Sequence, residues 1–170
     1  LSFRAALRPV LPLPGAPEVV RAMISAATAT GVGPMAAVAG AIAEQVGRGL
    51  LPLTSEVIVE NGGDIFLSTQ RVRRVALWAG GSAFHLRLAL EIHPQDSPLA
   101  VCTSSGTFGH SLSFGRADAA VAVSADAALA DAAATAIGNL VQSAADIQAA
   151  LSFARSVPGL IGSVIVVGDQ

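Results

Sequence analysis

One stretch of the sequence decides the fold: residues 101–139, which read VCTSSGTFGHSLSFGRADAAVAVSADAALADAAATAIGN. It consists of a loop of small residues (103–111), a segment of alternating side chains (117–124) and an alanine-rich segment (126–138) that predicts a helix. In that helix Asp131 and Thr135 are four residues apart and therefore lie on one face. Their neighbours are almost all apolar, and a carboxylate in such a helix needs a partner, a cation or water.

The segments around this stretch predict further strands and helices. We expect strands at 55–60, 65–67, 72–78, 84–92 and 160–167, with Asn61-Gly62 as a tight turn between the first two. We expect helices at 17–30, after Pro34, and from Ser143 to Ser156. Because strands and helices do not alternate strictly, the prediction is an α+β fold with a mixed or antiparallel sheet and packed alanine-rich helices.

The length of 170 residues predicts a single domain, residues 1–170. Because the chain begins with Leu1 rather than methionine, the sequence leaves open that residues precede it. Hydrophobic residues make up 52% and charged residues 13% of the chain. This composition predicts a well-buried fold with an apolar interface, which favours a homodimer.

Composition and charge also exclude several classes of function. No run of about eighteen uninterrupted apolar residues suggests a membrane span, and a net charge of −2 with few aromatic residues argues against nucleic-acid binding. All ten cationic residues are arginine, which excludes Schiff-base chemistry and lysine phosphate clamps. A single cysteine fits a reducing compartment, so we expect the protein to be cytoplasmic.

Four segments occur in an order that resembles a known superfamily. They are GVGPMAAVAGAIAE (31–44), VENGGDI (59–65), CTSSG (102–106) and ADAAATA (130–136). Together they resemble the ApbE superfamily, the FAD:protein FMN transferases, and more closely a family of ApbE-like proteins with no agreed activity. The resemblance extends from about Phe3 to the last strand. It implies binding of a flavin or related nucleotide, such as FAD, together with Mg²⁺.

The resemblance assigns the metal to Asp131 and Thr135, because ApbE proteins bind Mg²⁺ through an Asp and a Thr at this spacing. The residue types agree, since Mg²⁺ takes oxygen ligands and retains waters that leave room for substrate phosphates. The residues alone also allow an alternative to metal binding. Asp131 could accept hydrogen bonds from a nearby loop while Thr135 bonds to its own helix.

Two other segments are candidates for ligand binding. Glycines and hydroxyls at Thr103, Ser104, Ser105 and Gly106 could form a phosphate cradle, or a tight loop whose hydroxyls are satisfied locally. In the segment Asn61-Gly62-Gly63-Asp64, a turn explains Asn61 and Gly62. It does not explain a carboxylate beside an apolar strand, so Asp64 is a further candidate for the site.

His110 is the candidate catalytic residue, as a ligand contact or general acid/base, with a structural loop histidine as the alternative. Two departures from the superfamily bear on catalysis. ApbE enzymes have a lysine in the segment matching Gly31–Gly40, and a His-x-x-Asp-Pro-x-Thr-Gly stretch after the TSG motif; neither is present here. The two hypotheses are therefore a Mg²⁺-dependent flavin (FMN) transferase-like enzyme and a non-catalytic ligand-binding or assembly module on the same fold.

Overall fold

The computed structural model describes residues 2–12, 14–109 and 112–170. The helices are α1 (Glu18–Thr30), α2 (Val38–Leu50), α3 (Ala127–Asn139) and α4 (Ile147–Ser156). The strands are β1 (Val57–Asn61), β2 (Asp64–Ser68), β3 (Arg73–Ala76), β4 (Ala89–Ile92), β5 (Leu99–Ser104), β6 (Ala119–Ser124) and β7 (Leu160–Val166). Short 3₁₀ turns lie at Phe3–Ala5, Pro34–Ala37, Pro94–Asp96 and Ala144–Asp146.

The strands form two antiparallel sheets. The main sheet has the order β1-β2-β5-β6-β7, and every neighbouring pair in it is antiparallel. The second sheet is the hairpin of β3 and β4. The predicted α+β class is therefore confirmed, and the sheet proves antiparallel rather than mixed.

Both faces of the central strands β5 and β6 are buried, because they lie between two layers. On one face Cys102, Ala120 and Ala122 pack against the alanines of α3. On the other face Val101 and Val121 pack against side chains from the region of the second sheet, including Leu77 and Ile92. Alternate side chains along each strand therefore enter different cores.

Helix α3 is the centre of the helical layer. It contacts β5 and β6 on the sheet and both α1 and α2 on its outer sides. Alanine side chains allow this close approach on several sides at once, and ten of its thirteen residues are buried. Asp126 caps the helix by accepting a hydrogen bond from the Leu129 amide at 2.9 Å, and Glu44 of α2 accepts one from the Ala127 amide at 2.7 Å.

Some predicted boundaries are wrong. The strand predicted at 84–92 is limited to Ala89–Ile92, because residues 84–87 form a turn in which Leu86 has a φ of +54°. Thr103 and Ser104 belong to β5 rather than to a loop. The helix predicted after Pro34 begins as a 3₁₀ turn before α2.

Among the described residues, no single helix is both long and apolar enough to cross a membrane. Helix α1 and the segment Pro34–Leu50 meet the length and hydropathy requirements only when taken together, and they are bent by 108° relative to each other.

Candidate functional site

Asp131 lies on α3 at the point where Gly40 of α2 packs against that helix. Its side chain is only 9% exposed, and its Oδ2 accepts a hydrogen bond from the Gly40 amide at 2.9 Å. A Cβ at position 40 would overlap the carbonyl oxygen of Ala127, so glycine is what permits this contact. Burial raises the pKa of Asp131 well above its usual value and the charge of Asp64 raises it further, while hydrogen bonds from the Gly40 and Ala39 amides oppose both.

Asp64 provides a second buried carboxylate from the main sheet. It is the first residue of β2, directly after the turn at Gly62-Gly63, and is 6% exposed. Its Oδ1 accepts a hydrogen bond from the Thr103 amide of β5 at 3.2 Å. Burial raises the pKa of Asp64 to about 6, although the Thr103 hydrogen bond acts in the opposite direction.

The buried thiol of Cys102 belongs to the same electrostatic environment. Burial raises its pKa first, and the charges of Asp64 and Asp131 raise it further. The carboxylates of Asp64 and Asp131 therefore lie close enough to disfavour ionisation of the thiol. The Cys102 thiol is accordingly held in its neutral form and is not an activated nucleophile.

Two clefts meet at these carboxylates. The first cleft, of about 510 Å³, lies between the N-terminal segment around Arg4 and the face of α3 that carries Asp131, Thr135 and Asn139. The second cleft, of about 410 Å³, lies between the end of β5 and the region around Trp78. Asp64, Asp131 and Thr135 line both clefts, so these three side chains form their junction.

Most of the candidate site residues that were predicted from the sequence line the second cleft. Eight of them line it: Gly62, Gly63, Asp64, Thr103, Ser104, Ser105, Asp131 and Thr135. Residues from three separate motifs, up to 73 positions apart in the chain (62 to 135), therefore share one cavity wall.

Two of the predicted site residues, Asn61 and Gly106, lie outside both clefts. Asn61 donates a hydrogen bond from its Nδ2 to the Ala39 carbonyl at 3.2 Å, which ties the turn to the start of α2. The amide of Gly106 donates to the carbonyl of Ala117 at 2.9 Å, and a Cβ there would overlap the backbone of Gly115. Neither residue is among the described residues that line the clefts. His110 lies outside the described residues.

Several residues of the site were not nominated from the sequence. The Gly40 amide holds Asp131, and Arg4, Trp78 and Phe108 line the clefts. The run of small residues in α2 is the one sequence signal for such a contact, because small side chains permit a close backbone approach, and at Gly40 that approach is to α3.

The junction has the donor set for a hard divalent cation. It offers two carboxylates, from Asp64 and Asp131, and one hydroxyl, from Thr135. A cation there would favour the charged forms of both carboxylates, whose pKa values are raised first by burial and then by a neighbouring charge, that of Glu60 for Asp64 and that of Asp64 for Asp131. Within the described part of the chain, no group of three or more His, Cys, Asp or Glu side chains could hold a metal. Such a cation would therefore need hydroxyl, main-chain or ligand oxygens as well.

The sequence matches a family model described as "AbpE bacteria" over residues 1–167. The UPF0280 protein of Methanocella arvoryzae is 43% identical over 169 residues, covering 99% of this chain and 69% of that protein. The UPF0280 protein of Methanopyrus kandleri is 46% identical over 174 residues, covering 99% of this chain and 70% of that protein. For the UPF0280 protein of Methanosarcina acetivorans, the identity is 42% over 169 residues, covering 98% of this chain and 66% of that protein.

The chain thus spans about two thirds of the length of these archaeal relatives. The family match, by contrast, covers nearly every residue of the chain, including all four motifs on which the resemblance rested. The chain therefore belongs to the AbpE bacteria family and is an ApbE-like protein related to the UPF0280 proteins.

Proposed function

We propose that this protein binds a flavin nucleotide of the FAD class through Mg²⁺ held by Asp131 and Thr135. One observation carries the proposal: residues of the NGGD, TSS and DAAAT segments line one cleft, and Asp64, Asp131 and Thr135 also line a second. A dinucleotide needs room on both sides of its pyrophosphate. Clefts of about 510 and 410 Å³ that share Asp64, Asp131 and Thr135 offer that room.

The charge at the junction supports a cation between protein and ligand. Arg4 is the one cationic side chain among the described residues that line the two clefts, whereas Asp64 and Asp131 are both acidic. A pyrophosphate placed directly beside two carboxylates would be repelled. Bound Mg²⁺ would reverse this by joining the carboxylate side to the phosphate oxygens and stabilising the negative charge on them.

The chain's own residues have separate parts in this proposal. Asp131 is held in position by the Gly40 amide, and Thr135 presents its hydroxyl one helical turn further along α3. Ser104 and Ser105 line the second cleft, and in this proposal their hydroxyls donate hydrogen bonds to a phosphate there. Asp64 is fixed by the Thr103 amide and supplies the second negative charge.

The proposal is tested by thermal unfolding with FAD, FMN, ADP or ATP, each with Mg²⁺ or with EDTA. A ligand that binds only the folded state raises the melting temperature by mass action. We expect FAD to raise it only when Mg²⁺ is present, and we expect Asp131→Asn to abolish that difference. Equal shifts in Mg²⁺ and EDTA, or shifts with adenine nucleotides alone, would contradict the proposal.

A second function, ligand binding without transfer, is favoured by the sequence itself. The lysine expected in the segment Gly31–Gly40 is absent, and the segment after TSSG departs from the superfamily pattern. FMN transfer would break the anhydride bond of FAD, form a phosphoester on an acceptor hydroxyl and release AMP. Incubation with FAD, Mg²⁺ and candidate acceptor peptides distinguishes the two functions. AMP release together with a flavin-labelled peptide indicates a transferase, and intact FAD indicates a binding protein.

A further inference from the structure

The second cleft contains an aromatic pair that the metal site does not use. The rings of Trp78 and Phe108 have centroids 5.7 Å apart and are tilted by 41°. Both residues line the cleft, yet Trp78 is 51% and Phe108 58% exposed. Two large rings in a cleft wall that remain half open to solvent leave apolar surface for a further ring to cover.

Neighbouring groups hold this pair in place. His85 contacts Trp78 edge-on, with ring centroids 4.4 Å apart at 83°. The loop that carries Phe108 is fixed by Ser105, whose Oγ accepts hydrogen bonds from the Thr107 and Phe108 amides at 3.2 and 3.0 Å. The rings therefore form a preorganised surface, and a ligand would lose little free energy in ordering it.

The loop has a second anchor on the strand side of the cleft. The hydroxyl of Thr107 donates to Oδ1 of Asp118 at 2.8 Å, and Oδ2 of Asp118 accepts from the Gly168 amide at 2.7 Å. The position of Phe108 is therefore tied to the chain just before β6 and to the segment that follows β7. None of these contacts involves the carboxylate junction. The junction therefore does not account for the exposed rings of Trp78 and Phe108.

The same cleft is polar at one part of its wall and aromatic at another. Asp64, Asp131 and Thr135 provide the polar part, and Trp78 and Phe108 provide the aromatic part. We infer that Trp78 and Phe108 form the ring-binding wall of the nucleotide site and stack against the planar heterocycle of the ligand. This inference rests on the proposed function, because the metal site would fix the phosphates while the aromatic wall selects the ring. Isoalloxazine and adenine share the required planar chemistry, and the experiment separates them.

The composition of the chain makes the inference directly measurable. Trp78 is the only tryptophan, and the chain has no tyrosine, so intrinsic fluorescence excited at tryptophan wavelengths reports on this cleft alone. We expect FAD with Mg²⁺ to quench this emission saturably, with the dissociation constant that calorimetry gives. Quenching by FMN and riboflavin identifies the isoalloxazine ring, and quenching by ADP alone identifies adenine. Free N-acetyltryptophanamide in parallel corrects for light absorbed by the flavin.

Variants of the wall test the contribution of each ring. Because stacking of a base on an aromatic ring contributes to the binding free energy, Phe108→Ala should weaken FAD binding by about tenfold. Trp78→Ala should weaken binding by a similar factor, and Trp78→Phe should restore most of it because a ring is retained. Ile161→Ala, an exposed apolar residue on β7 outside both clefts, is the matched control and should leave affinity unchanged. Circular dichroism of each variant verifies folding.

The outcomes separate this inference from the proposed function. If calorimetry detects Mg²⁺-dependent FAD binding but Trp78 emission is constant and Phe108→Ala binds as tightly as the parent, the aromatic wall is refuted and the metal site stands. If calorimetry detects no FAD binding and riboflavin also leaves Trp78 emission unchanged, both are refuted. Saturable riboflavin quenching that Phe108→Ala weakens, without Mg²⁺ dependence for FAD, supports the wall and contradicts the metal site.

Discussion

Asp131 is a carboxylate in a place that disfavours its charge. Burial raises its pKa and the charge of Asp64 raises it further, while hydrogen bonds from the Gly40 amide, at 2.9 Å, and the Ala39 amide offset only part of this. Such a residue lowers the stability of the apo protein, which is common where a site is built to receive a cation. We therefore expect a conflict at Asp131 between the stability of the apo protein and metal binding.

The first prediction concerns the substitution Asp131→Asn. The amide keeps the shape and can still accept the Gly40 hydrogen bond, but it removes the buried charge. We expect the melting temperature in EDTA at pH 8 to rise by about 2–4 °C for each kcal/mol that removal of the charge adds to the free energy of unfolding. We also expect the stabilisation by Mg²⁺ with FAD to disappear. A variant that is less stable than the parent in EDTA would contradict this account.

The second prediction concerns the pH dependence produced by Asp64. Its pKa is raised from 3.8 to about 6, so the folded state holds the proton more tightly than the unfolded state. This contribution to stability is fully present below about pH 4 and is lost as the pH rises through about 6. Asp64→Asn should therefore reduce the fall in the free energy of unfolding between pH 5 and 8 by about 1.4 kcal/mol. Urea unfolding in EDTA measures this, and an unchanged pH profile would refute it.

At the scale of elements, the contact of α2 with α3 determines the site. Gly40 allows the two helices to approach until its amide reaches Asp131. The third prediction is that Gly40→Ala destabilises the protein by about 2–3 kcal/mol, because the new methyl group overlaps the backbone of α3. It should also weaken Mg²⁺-dependent ligand binding, since Asp131 must shift.

A second glycine in the same helix is the control. Gly49 has open space where its Cβ would be, so Gly49→Ala should raise the free energy of unfolding by about 0.5–1 kcal/mol through helix propensity alone. Urea denaturation of both variants compares them directly. If Gly40→Ala is as stable as Gly49→Ala, the close approach of α2 and α3 is not what holds Asp131.

Local sequence patterns predict some of these elements and miss others. The α3 segment and the shared face of Asp131 and Thr135 follow from helical period, and Asn61-Gly62 marks a hairpin turn through local chemistry. The turn at Leu86 was missed because its positive φ occurs in a residue that gives no turn signal. The partnership of Asp131 with Gly40 was missed because it joins residues 91 positions apart, which no local pattern encodes.

At the scale of the whole molecule, three segments that are distant in the sequence meet because two layers cover one antiparallel sheet. Helix α3 lies on one face and the β3–β4 region on the other, and the clefts open where the strands β2 and β5 meet α3. The order of the four motifs indicated one site, but only the packing of these layers defines the junction at Asp64, Asp131 and Thr135.

The fourth prediction concerns assembly. The apolar composition favours a homodimer, and helix α2 carries a line of exposed apolar side chains at Ile42, Val46 and Leu50, four residues apart in each step. We expect light scattering to give the mass of two chains and Val46→Glu to give the mass of one, with its circular dichroism unchanged. A parent protein with the mass of one chain, 17.0 kDa, at micromolar concentration would refute the homodimer.

The central claim is that Mg²⁺ at Asp131 and Thr135 couples the protein to a flavin dinucleotide. Isothermal titration calorimetry of FAD, with Mg²⁺ or EDTA, on the parent and on Asp131→Asn tests it most directly. We expect Mg²⁺ to tighten FAD binding at least about tenfold in the parent, a coupling of about 1.4 kcal/mol, and to have no effect in the variant. Equal FAD affinity in all four titrations would contradict the account.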